Sequence, residues 1–441
     1  MIKKFLLLGL IVAQLTTSCS SDNSEDTAVT SENLSEQIAN LIKQPYSKLT
    51  PAEQKVKLEA EANAMLVEMD KSKTSGAVEA IQNLGNLLDV NSVDIFNGKN
   101  DNEIADILNV SGVYGIYTWN NTDNTWVKTA STTELKFVFP AKATQTVNNA
   151  TLSSTAVSSD IKVKLEDSYN WQTGTTVNDE FYLPTSVDAT LTIDKVQAAT
   201  FVTKAKYSNG KETPDDSSFK MVLNDGYTYE ISGKKGDPNS AESLFTYKDK
   251  NLVKFTAGST AQIDALLGDN VLVSYRGKAN GLVEIMDNFV IVADIDITGL
   301  ANDEAALEKV LTEPNYNTST YYTKINEYNK AYSEAIANSQ NKNTKLILVS
   351  KKDGTKIADV IQKSEKGSSY TNYSVWVKDN SINGGYWNWN GNTTGTLVQY
   401  YDEVLFLKFN DNTEVEMSAY FSTGFDALEK KFEDFLKSFE R

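Results

Sequence analysis

Residues 187–194 read Val187-Asp188-Ala189-Thr190-Leu191-Thr192-Ile193-Asp194, and this stretch decides the fold. Apolar and polar residues alternate one for one. Successive side chains of a strand point to opposite faces, so such a segment is a strand with one face on a core and the other in water. Working outward, Phe201 to Tyr207 repeats the pattern with Lys204 and Lys206 turned out, and Leu135, Phe137 and Phe139 alternate until Pro140 stops them. Tyr114 to Trp119 and Thr125 to Lys128 flank a polar turn, which makes Trp119 and Trp126 a structural cross-strand pair. Asp225-Gly226, Asp353-Gly354, Asp411-Asn412 and Asn280-Gly281 each sit between apolar runs. These dipeptides supply the left-handed backbone of tight hairpins, so the strands connect as antiparallel meanders rather than through βαβ crossovers. The expected class is α+β: a curved antiparallel sheet of meander hairpins with helices packed on one face and a helical section in front.

That helical section covers Leu34 to Ile42, Thr50 to Asp70 and a short stretch around Val78 to Leu88, ending near Leu108. Thr50-Pro51-Ala52-Glu53 combines a Thr cap, Pro at the first helical position and Glu placed for a capping box. Two further helices are expected between the β regions, one capped by Asn302 and one over about Thr320 to Ser339. Phe425, Leu428, Phe432, Phe435 and Phe439 give a closing amphipathic helix. The implied division is 1–18 leader, 19–45 acidic tether, 46–110 helical section, 111–300 β-rich domain, 301–343 helical section and 344–441 hairpin module with a terminal helix. The two β regions form either one sheet or two domains.

The leader holds Lys3 and Lys4, then the apolar run Phe5 to Ala13, which is too short to span a bilayer. Leu15-Thr16-Thr17-Ser18 leads into Cys19, the only cysteine. Ser20 to Asp26 is polar and acidic, and no Lys or Arg follows until Lys43. This beginning resembles a bacterial lipoprotein signal, and in particular those of Bacteroidota outer-membrane lipoproteins exposed at the cell surface. Thr16 departs from the commonest lipobox residue, Leu. The resemblance covers roughly the first 30 residues, and the body of the chain carries no family resemblance. It implies cleavage before Cys19, multiple acylation of that thiol, and a membrane partner reached through the lipid. It also implies a place on the outer membrane facing the exterior. One acyl chain holds only weakly, at about 0.8 kcal/mol per buried CH₂, so multiple acylation is what makes such an anchor stable.

Composition narrows the chemistry. The net charge is -17, and the only charges in residues 1–18 are Lys3 and Lys4. A body this acidic repels nucleic-acid phosphates, so nucleic acid is excluded as a partner. Histidine is absent, which removes Ser-His-Asp machinery, His-metal sites and HExxH proteases. With Cys19 acylated, no thiol chemistry remains. No cofactor or metal is expected. Asp379 to Gly384 partly matches a calcium loop, but the twelfth position is Asn390 where a bidentate Glu belongs, so it reads as an Asx-rich turn.

The candidate binding residues are Tyr386, Trp387 and Trp389, within Gly384 to Asn392. On a strand, Trp387 and Trp389 share a face about 7 Å apart. Aromatic platforms flanked by amides suit a glycan, whose C–H faces stack on rings while its hydroxyls reach Asn. A pair of hairpin or core tryptophans is the alternative. Asp294 with Asp296, Asp402 with Glu403, and Asp215 with Asp216 are acidic pairs. A glycosidase needs two carboxyls about 5 to 10 Å apart across a cleft, which sequence spacing does not establish. The leading expectation is a non-enzymatic surface lipoprotein that binds a glycan, another extracellular ligand or a partner. The alternatives are a carrier holding lipid in a half-open sheet and a carboxylate-based hydrolase.

Overall fold

The computed structural model describes residues 31–91, 95, 104–263, 277–382, 384–389, 391 and 394–421. Cys19, the leader, the apolar run at 271–275 that precedes Asn280-Gly281, the closing helix expected at 425–439, and Asn383, Asn390 and Asn392 lie outside the described residues.

Four helices lead: α1 (Ser31–Ile42), α2 (Pro51–Asp70), α3 (Gly76–Val90) and α4 (Ile104–Leu108). Thr50 caps α2 as its sequence implies. Its hydroxyl accepts the Glu53 N–H at 3.3 Å, and the Glu53 carboxylate accepts the Thr50 N–H at 2.8 Å. The Ser75 hydroxyl caps α3 by accepting the Val78 N–H at 3.3 Å. The strands that follow are β1 (Gly115–Asn120), β2 (Thr125–Thr129), β3 (Leu135–Phe139), β4 (Ala150–Asn170), β5 (Thr175–Ile193), β6 (Val196–Lys206), β7 (Asp216–Leu223), β8 (Tyr227–Lys234), β9 (Asn239–Tyr247), β10 (Lys250–Ser259), β11 (Lys278–Ile285) and β12 (Phe289–Asp296). Helices α5 (Ile297–Val310) and α6 (Tyr321–Asn343) come next. Then follow β13 (Thr344–Ser350), β14 (Thr355–Asn372), β15 (Ser374–Val377), β16 (Tyr386–Trp389), β17 (Thr396–Lys408), β18 (Glu414–Glu416) and α7 (Met417–Tyr420).

Sixteen of these strands form one sheet, in the order β18-β17-β14-β13-β12-β11-β10-β9-β8-β7-β6-β5-β4-β3-β1-β2. Strand β12 pairs directly with β13, so the two β regions of the sequence are one continuous sheet. Only the β1–β3 pair is parallel. Hairpins turn at Asp225-Gly226, at Asp353-Gly354 and at Asp411-Asn412, where Gly226, Gly354 and Asn412 have positive φ. Asn280-Gly281 is different from expectation. Both residues lie inside β11, opposite Gly258 and Ala257. A β-carbon on Gly281 would sit 3.3 Å from the Thr256 carbonyl, so the glycine serves close strand packing rather than a turn.

One face carries an unbroken row of facing residues across ten strands: Leu135, Ser154, Ala189, Phe201, Met221, Tyr229, Phe245, Val253, Ile285 and Phe289. Helices α2, α3 and α4 lie on this face. Met65, Met69, Ala80, Ile81, Leu84 and Ile107 bury against Phe137, Phe139, Leu191, Leu223 and Tyr227. Helix α2 passes the sheet's turns at one edge, where Glu61 accepts from Asn288 at 3.1 Å and meets Lys352 at 2.7 Å. The opposite face is covered too. Leu34 and Ile38 of α1 bury against Leu282, Val290, Val292, Ile347 and Val349. Between α1 and α2 the chain pairs with the start of β14. Ser47 N–H donates to the Lys356 carbonyl and Lys356 N–H to the Pro45 carbonyl, both at 2.8 Å. There the Tyr46 hydroxyl bonds Asp359 and the Lys356 ammonium lies 3.8 Å from the Tyr46 ring. Over β7 to β11 this second face is a charged lattice, with Lys220 to Glu230 at 2.7 Å and Lys254 to Glu242 at 3.0 Å.

Helix α5 starts earlier than Asn302 suggests. Strand β12 runs straight into it, and the Asp296 carboxylate caps it by accepting the Gly299 N–H at 2.9 Å. A short carboxylate at the strand end is placed to accept a free N–H of the helix's first turn.

Candidate functional site

Strands β14 and β17 outrun their neighbours. Strand β13 leaves β14 at Val360 and β18 leaves β17 at Phe406, yet β14 and β17 stay paired out to Asn372 and Thr396. A two-stranded ribbon is marginal in water by itself. Helix α6 covers this one, burying Tyr322 and Ile325 against Val398. Its asparagines replace the missing strands. The Asn341 amide donates to the Gln362 carbonyl at 2.7 Å and accepts the Gln362 N–H at 2.8 Å. Asn326 does the same for the Leu397 carbonyl and the Gln399 N–H, both at 2.8 Å, and Asn329 donates to the Gln399 carbonyl at 2.9 Å. Where the register slips between Lys366 and Ser369, the Gln399 amide donates to the Gly367 and Ser368 carbonyls at 3.0 and 3.2 Å. Side-chain amides satisfy backbone groups that would otherwise stay unpaired.

At the end of this mount sits the β15–β16 hairpin, with Trp376 directly opposite Trp387. The Trp387 ring contacts Trp376 at 5.4 Å and Tyr322 at 4.6 Å, and its indole N–H donates to the Tyr316 carbonyl at 2.9 Å. Trp387 therefore ties the hairpin to α6. Trp389, on the same strand face, is 70% exposed, and Tyr386 is exposed on the other face. The structure thus separates the three sequence candidates: one packs, two face solvent.

Sequence reasoning missed the tyrosines around them. Tyr316, Tyr321 and Tyr322 form a mutual ring cluster with centroids 4.9 to 6.2 Å apart. Tyr370 and Tyr400 stack at 6.1 Å on the neighbouring strands. Burial pushes the Tyr322 phenol well above its ordinary range, and a hydrogen bond with Tyr316 adds to the shift. Tyr370 is raised by burial, by the nearby Tyr400 phenol and by a hydrogen bond with it, with smaller contributions from Tyr321 and Tyr316. Tyr321 is raised by burial and by the charge of Glu313. These phenols stay protonated, so they offer donors and acceptors without acting as bases. Tyr316, Tyr370 and Tyr400 are exposed. The only sequence sign of this cluster is the tyrosine spacing along α6, because residues 316, 370 and 400 meet only through the ribbon.

The acidic pairs do not assemble. Asp296 is committed to its cap, while Asp402 and Glu403 are strand neighbours and point to opposite faces. Asp215 meets Lys235 at 3.5 Å. The Asp379 carboxylate accepts the Ser381 hydroxyl at 2.7 Å and the Ser381 N–H at 2.9 Å in an Asx turn, and these two bonds hold it below the usual carboxylate range. Among the described residues no three His, Cys, Asp or Glu side chains are grouped to hold a metal, and no helix is long and apolar enough to cross a membrane. Comparison with protein-family models, curated proteins and solved structures finds no match for this chain.

Proposed function

We propose that this chain is a non-enzymatic binding protein, moored to the outer membrane by lipid on Cys19 and facing the exterior. Its binding surface is the aromatic end of the β14–β17 ribbon, and its ligand is an extracellular glycan. The observation that carries this reading is the cluster of tyrosines, Tyr316, Tyr321 and Tyr322 with Tyr370 and Tyr400, on the same mount as the hairpin that exposes the Trp389 ring. Ring faces stack against sugar C–H groups, and phenols exchange hydrogen bonds with sugar hydroxyls. Aromatic side chains also lose little conformational freedom on binding. Side chains from helices and sheet fill the interface on the α2–α4 face, which favours a binding protein over a lipid carrier.

Titration of purified glycans against the full-length protein tests the ligand. Tyr400→Ala and Trp389→Ala should each weaken binding about tenfold or more, the equivalent of roughly 1.4 kcal/mol. Absence of binding across a broad glycan panel, or affinities that ignore both substitutions, removes the glycan. Mass spectrometry of the mature protein tests the anchor, and an unmodified Cys19 thiol removes it. Protease shaving of intact cells tests outward display.

A further inference from the structure

We infer that the tip of the β4–β5 hairpin is a bilayer contact, seating Trp171 and Tyr169 in the interfacial layer of the membrane to which the chain is tethered. This rests on the lipid-anchor reading above.

Strand β3 accompanies β4 only to Ser154, and β6 accompanies β5 only from Ser186. Beyond those points the two strands continue as a bare ribbon. Its base is seated: Ile161 and Val163 are buried, and the Ser111 N–H donates to the Tyr182 carbonyl at 3.1 Å. From Lys164 to Asn170 is seven residues, about 23 Å of extended chain. The tip itself is ordered. The Asn170 side chain accepts the Gln172 and Thr173 N–H groups at 3.0 and 3.2 Å, and the Gly174 N–H returns to the Asn170 carbonyl at 2.8 Å. This turn holds Trp171 outward at 89% exposure, edge-on to the Tyr169 ring at 4.8 Å.

Three observations favour a bilayer as the occupant. The first is charge. Residues 168–178 carry none, in a chain of net charge -17, so the tip enters a headgroup layer without desolvating an ion or repelling an anionic lipid. The second is side-chain type. Trp and Tyr with amides and hydroxyls are the residues of membrane–water interfaces, whereas Leu, Ile and Phe would belong to the hydrocarbon. The third is position. Strands β4 and β6 run the same way in the meander, so the ribbon leaves the sheet at the edge of the β6–β7 and β8–β9 connections. Helix α1 begins at that same edge. Ser35 receives a hydrogen bond from Asn280 at 3.1 Å near the start of β11, and Leu34 lies against Gly258 near the end of β10. Twelve positions separate Cys19 from Ser31, which span at most about 43 Å. The start of α1 and the hairpin therefore leave the same edge of the sheet, and a tether of that reach allows the lipid and the hairpin tip to meet one membrane.

The test uses the full chain, shown by mass spectrometry to carry its lipid and reconstituted into zwitterionic phosphatidylcholine vesicles. Subtracting the Trp171→Ala emission from that of the parent protein isolates Trp171 from the other tryptophans. Trp171 emission should shift to the blue on reconstitution, lose quenching by aqueous acrylamide and gain quenching by bromine-labelled lipid. Circular dichroism of Trp171→Ala should match the parent, because the ring is solvent-exposed. A lipidated chain whose Trp171 stays open to acrylamide and untouched by bromolipid overturns the inference while leaving the anchor intact. So does a photo-crosslinker at position 171 that couples to a protein in cells. A chain without lipid instead overturns the anchor reading, and that failure is seen before any vesicle is made.

Discussion

Two ribbons leave the same edge of one sheet, and they are stabilised in opposite ways. The β14–β17 ribbon lies under α6, with Asn326, Asn329 and Asn341 hydrogen-bonded along its free edges and Gln399 locking its bulge. Among the described residues, nothing covers the β4–β5 ribbon in that way past its base. It relies on its ladder and on the Lys162 and Lys164 ammonium groups facing Glu180. A covered ribbon can be as rigid as the core and can hold several side chains in fixed mutual geometry, which a binding surface requires. A bare ribbon keeps only its tip well defined, which suffices for a contact that needs one or two side chains.

The contrast can be broken most forcefully at Ile325. It is buried between α6 and Val398, so Ile325→Ala should cost about 2–5 kcal/mol of the covered ribbon's stability. Hydrogen exchange should then show β14 and β17 losing protection beyond Val360 while β4 and β5 keep theirs. Equal losses in both ribbons would mean that α6 does not stabilise its ribbon separately. Asn341→Ala is the next step down. It leaves the Gln362 N–H and carbonyl to water in place of their partner, at about 0.5–1.5 kcal/mol. Unchanged exchange at Gln362 would remove the claim that the amide substitutes for a strand.

A third experiment sharpens the contrast through pH. Burial opposes charge on Asp359, yet the Tyr46 hydroxyl, Lys345 and Lys356 hold its carboxyl below the usual range. A carboxyl depressed in the folded state contributes stability above its unfolded value, near 3.9, and loses it as pH falls through the lower folded value. Acid unfolding of the parent should therefore steepen below about pH 4, and Asp359→Asn should flatten that dependence. Identical acid limbs would show the group to be uncoupled from folding. The smallest effect is expected at Lys162→Ala. Its pairing with Glu180 is fully solvent-exposed, so melting temperature should not move measurably. A clear drop would mean that the bare ribbon depends on its ion pairs.

Part of the sheet was legible in the sequence because consecutive strands from β3 to β14 pair with one another, so alternation and the Asp225-Gly226 and Asp353-Gly354 turns mark several of its hairpins, while β4, β9 and β10 carry no such clear signal. Residues 187–194 behave as their pattern implies, with Val187, Ala189 and Leu191 buried. Trp119 and Trp126 meet edge-on at 5.1 Å for the same local reason. Asn280-Gly281 misled because a glycine demanded by close strand packing has the same spelling as one demanded by a turn. The start of α5 misled because Asp296 is both the last strand residue and the cap. The aromatic cluster was half legible. Trp389 and Tyr386 stand out in their segment, but Tyr316 and Tyr370 come together with Tyr400 only after β14 and β17 have paired and α6 has lain across them. The second helical face was illegible for a related reason, since α1 reaches β11 to β13 across more than 240 positions.

The order of the chain also sets an order of events during synthesis. Every strand from β4 to β14 finds its predecessor already made, so the sheet can grow by addition at one edge without waiting for a distant segment. Helices α2 and α3 have the reverse fate. They emerge before any strand, with Met65, Ile81 and Leu84 exposed; β1 and β3 bring the first partners, Tyr117, Phe137 and Phe139, and the face they cover is complete only when β6 to β10 arrive, more than a hundred residues later. At about 5–20 residues per second that interval lasts several seconds or more, and it is the period in which a nascent molecule of this kind most needs shelter from its neighbours.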